Sequence, residues 1–151
     1  MKITDMILEV GNLSTPSGLP DVQLIAQTPE TRDGVLAFVE EQFSKFSQYY
    51  MAPPPTTTVY AIVHENTMIG TVLVEERPTA AVLDTDSAIA CVVVDRSLNG
   101  QGFGSAAIVE SCSELARRGF ERVIAEWVAS VSLYERLGFS SLADKREFIV
   151  D

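Results

Sequence analysis

Histidine, cysteine and tryptophan are scarce in this sequence of 151 residues, which contains one histidine, two cysteines and one tryptophan. A Ser-His-Asp triad or a site of histidine and cysteine metal ligands would have to rest on His64, which we interpret as a surface residue beside a turn. Cys91 and Cys112 each lie in an apolar segment without a metal-ligand spacing. We therefore expect two buried, reduced thiols in a cytoplasmic protein, and no metal site.

Positive charge is also low, because 11 lysines and arginines face 21 aspartates and glutamates, for a net charge of −10. Nucleic-acid binders and proteins on anionic membranes carry basic surfaces, so we expect neither partner. A small cationic substrate suits this charge, as does simple solubility. No apolar run is long enough to span a membrane, and Asp5 and Glu9 interrupt the first apolar stretch, unlike a signal peptide.

The composition is that of a soluble globular protein, with 46% hydrophobic and 21% charged residues. A chain of this length usually forms one domain, so we expect a single domain over residues 1–151. Residues 1–20 are expected to add an N-terminal strand and a loop rich in glycine, serine and proline. An extra strand of this kind often serves as the edge at which two copies pair, so the sequence is compatible with a homodimer.

The remaining pattern alternates between strands and helices, which indicates a mixed α/β layer. A triple proline ends the first predicted helix, since proline lacks the amide donor that a helix needs. The sequence predicts strands at 2–10, 21–27, 59–64, 68–75, 88–94, 122–127, 139–141 and 146–150, and helices at 31–48, 105–118 and 130–137.

A glycine-rich turn joins the predicted buried strand 88–94 to the helix that follows it. Gly100, Gly102 and Gly104 alternate there, so backbone amides can approach a ligand closely beside a helix N-terminus. That arrangement binds phosphate groups without basic side chains. The spacing excludes both G-x-x-x-x-G-K-[ST] and G-x-G-x-x-G. A connection that merely turns the chain is the alternative for this segment alone.

A second segment, residues 133–139, reads L-Y-E-R-L-G-F on a short helix after a strand. Together the two segments closely resemble the GCN5-related N-acetyltransferase (GNAT) family, which has a V-x-x-x-x-[RQ]-G-x-G-x-[GA] pyrophosphate loop and an L-Y-E-[KR]-L-G-F signature. Val94 and the three glycines match the first motif, and residues 133–139 match the second throughout. The resemblance extends over about residues 21–150.

The resemblance implies a mixed, mostly antiparallel central sheet with flanking helices and with fourth and fifth strands that splay apart. It also implies transfer of an acetyl group from acetyl-CoA to a primary amine of a small molecule or peptide by direct attack, with Tyr134 as general acid toward the CoA thiolate. The pantetheine arm would pair with the main chain of Val92 and Val94. The residues expected to bind CoA are therefore Val92, Val94, Asn99, Gly100, Gln101, Gly102, Phe103, Gly104 and Ser105.

Three positions depart from the family pattern. Asn99 stands where the family usually has arginine or glutamine, Trp127 where many members have asparagine, and Ser130 where alanine is usual. The glycines and the tyrosine are intact, so CoA binding is still expected. The departures keep a second hypothesis open, a non-catalytic acyl-CoA-binding regulatory module, and a third, an interaction protein whose turn binds nothing.

The general base and the acceptor site are less evident, because the predicted strand 88–94 contains no carboxylate. Glu126 is the first candidate for the base and Glu75 the second, either one acting directly or through a water. Both could instead be solvated residues at strand ends. Tyr49 and Tyr50 are expected to line the acceptor site with their neighbours at the end of the first helix, unless these aromatics form a separate hydrophobic cluster.

Overall fold

The fold is built around one sheet, and the structure, a computed structural model, describes residues 2–142 and 147–149. Eight strands occur in these residues. They are β1 (Lys2–Glu9), β2 (Gln23–Ala26), β3 (Thr57–His64), β4 (Thr67–Glu75), β5 (Asp86–Val94), β6 (Arg122–Val128), β7 (Ser140–Ser141) and β8 (Glu147–Ile149). The helices are α1 (Arg32–Phe43), α2 (Ser47–Met51), α3 (Phe103–Arg117) and α4 (Val131–Arg136), with 3-10 turns at Val10–Asn12, Ser44–Phe46 and Arg96–Leu98.

The sheet is mixed and mostly antiparallel, as predicted. Its order is β2-β3-β4-β5-β6-β1-β7, and β8 also pairs with β1. Of the pairings described, the one between β5 and β6 is parallel and the others are antiparallel. The predicted strand 146–150 corresponds to β8, and its two end residues lie outside the described part of the chain.

The N-terminal strand lies inside the sheet. β1 pairs with β6 on one side and with β7 and β8 on the other. Met6 and Leu8 alternate along β1 and are completely buried in the core. The expectation that this strand offers a free edge for a second copy is therefore wrong, because its main-chain groups pair within the chain on both sides.

Helices cover both faces of the sheet, and the alternation along β4 shows this directly. Val72 and Val74 belong to the core cluster under α3, whereas Leu73 belongs to the cluster under α1 and α2. The apolar residues of α3 recur at helical spacing, and Ile108 is buried in the same cluster as Val72. Among the described residues, no helix combines the length and apolar character that crossing a bilayer requires.

The predicted first helix at 31–48 is interrupted. α1 ends at Phe43, whose backbone is no longer helical (φ −156°, ψ 82°), and a 3-10 turn leads into α2. The rings of Phe43 and Phe46 meet edge to face at 4.5 Å across this break. The change of direction carries Tyr50 of α2 into the core, where it is completely buried. Burial of this ring accounts for the break, which helical periodicity alone does not predict.

The sheet splits between β5 and β6. Their pairing ends at Ile89 and Ala125, although β5 continues to Val94 and β6 to Val128. With the extra N-terminal strand left out of the count, these are the fourth and fifth strands whose splay was predicted, and the prediction is confirmed. Beyond the last pair, Cys91 (φ 52°) and Trp127 (φ 58°) have left-handed backbone conformations, which are unusual for side chains with a Cβ.

Candidate active site at the split in the sheet

The split opens a cavity of about 350 Å³ between β5, β6, α3 and α4, which we call the strand cleft. Its lining includes Val92, Val94, Arg96, Asn99, Gly104 and Tyr134. The two motifs found in the sequence therefore meet at one cavity, although about thirty residues separate them.

The main chain of β5 directs hydrogen-bonding groups toward this cleft. The Asp95 amide donates to the Ile69 carbonyl of β4 at 2.8 Å, and Val93 lies opposite Thr71 of the same strand. Successive residues of a strand direct their main-chain groups to alternate sides, so those of Val92 and Val94 face the gap. An extended arm with amide groups could pair with them as a strand would.

The glycine turn ends at the N-terminus of α3. Gly102 precedes the helix with φ 87°, a left-handed conformation that glycine adopts at no steric cost. The first hydrogen bond of the helix runs from the Ala106 amide to the Gly102 carbonyl at 2.9 Å. The amides of Phe103, Gly104 and Ser105 are thus the unpaired donors of a helix start, which favour an anion.

The side chains of the turn are placed differently from one another. Asn99 lines the strand cleft, whereas the Phe103 ring is buried against the ring of His64, with 4.9 Å between the ring centres. Phe103 therefore offers an anion only its amide. The side chains of Gln101 and Ser105 are not part of the cleft lining.

Arg96 was missed by sequence reasoning. It lies on the 3-10 turn before the glycines and lines the same cleft as Asn99. Its amide donates to the Gln42 Oε1 atom at 2.9 Å, which connects this turn to α1. A guanidinium at this place could supply the cation that the asparagine at position 99 lacks. The signal in the sequence is a basic residue two positions after the end of the buried strand and four positions before the first glycine.

Tyr134 reaches the strand cleft from α4. Its ring packs edge to face on Phe139, with 5.2 Å between the ring centres. Burial raises the pKa of the Tyr134 phenol further above its ordinary value, with a smaller effect from the Cys112 and Cys91 thiols. The phenol therefore keeps its proton at neutral pH and can act as a donor.

A second cavity of about 350 Å³ adjoins the first, and we call it the aromatic pocket. Its lining includes Phe46, Tyr49, Leu73, Glu75, Glu126 and Trp127. Phe46, Cys91, Glu126 and Trp127 line both cavities. The two cavities thus meet at the point where β5 and β6 separate.

Glu75 and Glu126, the two predicted base candidates, come together in the aromatic pocket although they lie on different strands. The Thr57 hydroxyl donates to the Glu75 Oε1 atom at 3.2 Å. Burial raises the pKa of the Glu126 carboxyl, and hydrogen bonding and repulsion from Glu75 and the charge of Asp5 raise it further. Such a pair favours a state in which one carboxyl holds a proton and the other is ionised.

Cys91 lies where the two cavities join. Burial raises the pKa of its thiol to about 12, with further contributions from Glu126 and Glu75. The thiol is therefore neutral near pH 7 and a weak nucleophile. Its side chain is partly exposed, whereas Cys112 is buried as predicted, and neither is in a disulfide.

The predicted acceptor residues separate into two groups. Tyr49 is 38% exposed, lines the aromatic pocket and meets the Trp127 ring edge to face at 6.2 Å between the ring centres. The prediction for Tyr50 is wrong, because its side chain is 0% exposed and its hydroxyl donates to the Cys91 carbonyl at 2.6 Å. His64 lies at the end of β3, away from both cavities, and its Nδ1 atom contacts the Asp21 carbonyl at 2.6 Å.

Comparison with known proteins supports the mixed α/β fold described above. The family model described as acetyltransferase (GNAT) family matches residues 24–139. Among curated protein sequences, no match to the chain was found.

Many solved structures share the architecture at low sequence identity. The glucosamine N-acetyltransferase region of a fungal multi-domain β-N-acetylglucosaminidase has a TM-score of 0.77 and 17% identity, over 98% of this chain and 20% of that one. A GCN5-related N-acetyltransferase from Kribbella flavida has a TM-score of 0.65 and 18% identity, over 97% and 62%. One from Sphaerobacter thermophilus has a TM-score of 0.61 and 20% identity, over 93% and 48%. The chain therefore spans from a fifth to less than two thirds of these proteins' lengths.

Proposed function

The chain belongs to the GNAT acetyltransferase family, and on that basis we propose that it transfers the acetyl group of acetyl-CoA to a primary amine of a small molecule. The observation that carries the proposal is the meeting of two cavities at the split in the sheet. One offers backbone donors and Tyr134, and the other offers a carboxyl pair within an aromatic wall.

The strand cleft suits acetyl-CoA. The pyrophosphate would lie against the amides at the start of α3 and near Arg96, and the pantetheine arm would pair with Val92 and Val94. Backbone dipoles and one guanidinium would hold this anion in a protein whose net charge is −10. The thioester would then lie near the junction of the two cavities, between Cys91 and Tyr134.

The transfer itself would proceed by direct attack. The neutral amine nitrogen adds to the thioester carbonyl carbon while Glu126, directly or through a water, accepts a proton from the amine. The tetrahedral intermediate collapses with cleavage of the C–S bond, and Tyr134 donates its proton to the departing thiolate. The neutral Cys91 thiol argues against an acyl-cysteine intermediate.

The aromatic pocket suits a cationic amine with a compact apolar body. Tyr49, Phe46 and Trp127 offer ring faces and edges to carbon and to an ammonium group. The carboxyl pair attracts the ammonium and then takes the proton that the amine must lose before it can attack. The cavity volume of about 350 Å³ favours a small amine over an amine on the tail of a folded protein.

A thiol-release screen with acetyl-CoA tests this proposal. The panel contains arylalkylamines, polyamines, amino acids, short peptides and glucosamine. Glucosamine is included because one of the similar structures is named a glucosamine N-acetyltransferase region. We expect the highest kcat/KM with small cationic amines that have an apolar body. Acetyl-CoA binding in calorimetry without thiol release from any amine would favour the regulatory module instead, and absence of binding would favour the interaction protein.

A further inference from the structure

The N-terminal strand contributes a buried carboxylate to the split in the sheet. Asp5 of β1 is 5% exposed, and its Oδ1 atom accepts a hydrogen bond from the Trp127 amide of β6 at 3.0 Å. The strands change register at this point, since Thr4 lies opposite Val128 whereas Met6 lies opposite Ala125. Asp5 therefore stands at a bulge, opposite the two residues of β6 that line both cavities.

The hydrogen bond holds an unusual backbone conformation. Trp127 has φ 58°, and a bulky residue keeps this strained left-handed conformation only where its surroundings hold it. The amide that Asp5 binds is the one that joins Trp127 to Glu126. Pairing between β6 and β5 ends at Ala125, the residue just before this peptide.

Two features of the proposed site depend on that peptide. The turn of the main chain at Trp127 accompanies the separation of β6 from β5, which opens the strand cleft. It also sets the directions of the Glu126 and Trp127 side chains, which lie at the junction of the two cavities.

We propose that Asp5 is a positioning residue for the acetyl transfer, which holds the peptide before Trp127 in the bulge and thereby places Glu126 and Trp127 at the cavity junction. This inference rests on the proposed function. Asp5 does not touch the strand cleft or the aromatic pocket, so it acts through β6.

The carboxylate of Asp5 also adds negative charge beside Glu126. Among the described residues, Glu126 is faced by Glu75 from β4, Cys91 from β5 and Asp5 from β1, and Tyr49 from α2 lines the same pocket. On the side of the strand cleft, Tyr134 from α4 and Arg96 share the lining with Glu126. An asparagine at position 5 keeps the acceptor oxygen and removes the charge, whereas an alanine removes both. The two variants therefore separate the geometric effect from the electrostatic one.

The experiment compares Asp5→Asn, Asp5→Ala and the control Thr4→Val, which changes a buried neighbour on the same strand. Asp5→Asn should retain wild-type acetyl-CoA affinity and maximal rate, with the acid limb of the pH–rate profile at lower pH because repulsion on Glu126 is reduced. Asp5→Ala should lower kcat by about 10- to 100-fold, the size expected for loss of one hydrogen bond to a charged group. Thr4→Val should leave the pH profile unchanged.

Fluorescence provides a readout that does not need turnover, because Trp127 is the single tryptophan. Its emission should change with pH as the neighbouring Glu126 ionises, and the midpoint of this change should lie at lower pH in Asp5→Asn. The emission wavelength should shift in Asp5→Ala but not in Thr4→Val. If Asp5→Ala does not fold, Asp5→Asn decides the question.

An Asp5→Ala variant that behaves like the wild type would overturn the inference, as would an Asp5→Asn variant whose kcat falls about 10-fold or more although it keeps the acceptor oxygen. An acid limb and a fluorescence midpoint in Asp5→Asn equal to those of the wild type would show that the charge of Asp5 has no effect on Glu126. If the wild type acetylates no amine, the proposed function fails, whereas the fluorescence titration still tests the position of Asp5.

Discussion

The buried hydroxyl of Tyr50 donates a hydrogen bond to the main-chain carbonyl of Cys91, with an O–O distance of 2.6 Å. Cys91 has a left-handed backbone conformation where β5 changes register against β4, since Val93 lies opposite Thr71 whereas Ala90 lies opposite Leu73. The Cys91 side chain lies where the two cavities join. Tyr50, which the sequence predicted to line the acceptor site, is thus buried beneath this site and stabilises its main chain.

Tyr50→Phe should therefore reduce stability and leave acceptor preference unchanged. The substitution leaves a carbonyl of β5 without its donor, which typically costs about 1–3 kcal/mol in the free energy of unfolding. Chemical denaturation measures this loss. Tyr49→Phe is the matched control, since its ring is 38% exposed, and its unfolding free energy should change little. A change in acceptor ranking in Tyr50→Phe without a loss of stability would contradict this interpretation.

Tyr134→Phe should lower kcat while acetyl-CoA affinity stays near that of the wild type. The ring and its packing on Phe139 remain, and only the proton donor is removed. General acid catalysis typically contributes about 10²- to 10⁴-fold to a rate. Tyr60→Phe serves as the control because Tyr60 is buried in the core beneath the Arg118 guanidinium, 5.6 Å from the ring centre. A full rate in Tyr134→Phe at neutral pH would remove this residue from the mechanism.

Gly102→Val should abolish acetyl-CoA binding in calorimetry. A valine is strained at φ 87°, so the backbone at the start of α3 has to change, while the added Cβ would make ordinary contact with the side chains of Leu19 and Pro20 at 3.4 Å. Gly18→Val is matched in backbone strain, with φ 75°, but the added Cβ meets nothing within 4 Å. Equal binding by wild type and Gly102→Val would show that the anion site lies elsewhere.

Glu126→Gln should move the acid limb of the pH–rate profile to higher pH. Burial and the neighbouring carboxylates raise the pKa of Glu126, so the wild-type rate should rise with pH above the ordinary carboxyl range near 4.3. Without this base, the amine has to lose its proton without help, and activity depends on the small neutral fraction in solution. Glu121→Gln, at an exposed position before β6, should leave the profile unchanged. An unaltered profile in Glu126→Gln would assign the base to another group.

Asp86→Asn should destabilise the fold at a residue that lines neither the strand cleft nor the aromatic pocket. The Asp86 carboxylate accepts bonds from the Nε and Nη2 atoms of Arg122 at 2.6 and 2.7 Å, and from the amides of Val82 and Leu83. Removal of one partner from a buried ion pair costs about 3–5 kcal/mol, and partial exposure of the arginine favours the lower value. Urea denaturation at pH 7 measures the loss, with exposed Asp84→Asn as control.

The same ion pair predicts a pH dependence of stability. Bonds from Arg122, opposed by burial, lower the pKa of Asp86 to about 2, below its value of about 3.9 in the unfolded chain. A lowered carboxyl pKa gives stability that is present above pH 4 and is lost as pH falls from about 4 towards 2. Asp86→Asn should show a weaker decline over this range, and a parallel decline in both proteins would contradict the prediction.

The parts that the sequence predicted are those set by local chemistry. The left-handed Gly102 and the helix start after it follow from a glycine repeat between an apolar strand and a helix. Tyr134 and Gly104 meet in one cavity because the strand, helix, strand and helix after residue 88 pack as the family resemblance implied.

The parts that the sequence did not predict depend on distant partners. Tyr50 continues a helical pattern as well as Tyr49 does, and only the carbonyl of Cys91, forty-one residues away, draws it into the core. The hydrogen bond between Asp5 and Trp127 joins residues 122 positions apart, so periodicity gave no sign of it. The position of β1 in the sheet likewise depends on which strands it pairs with. Alternation of apolar residues predicts a strand but not its partners.

The pairing of β1 on both sides has a consequence for folding during synthesis. Met6 and Leu8 leave the ribosome more than one hundred residues before their neighbours on β6, Ala125 and Val123. Until β6 is synthesised, the apolar residues of β1 have no strand to pair with. Long-range pairing of this kind is slow, and the unpaired strand is prone to aggregation. The nascent chain should therefore be a client of chaperones at the exit tunnel, and slower elongation before residue 122 should lower the yield of soluble protein.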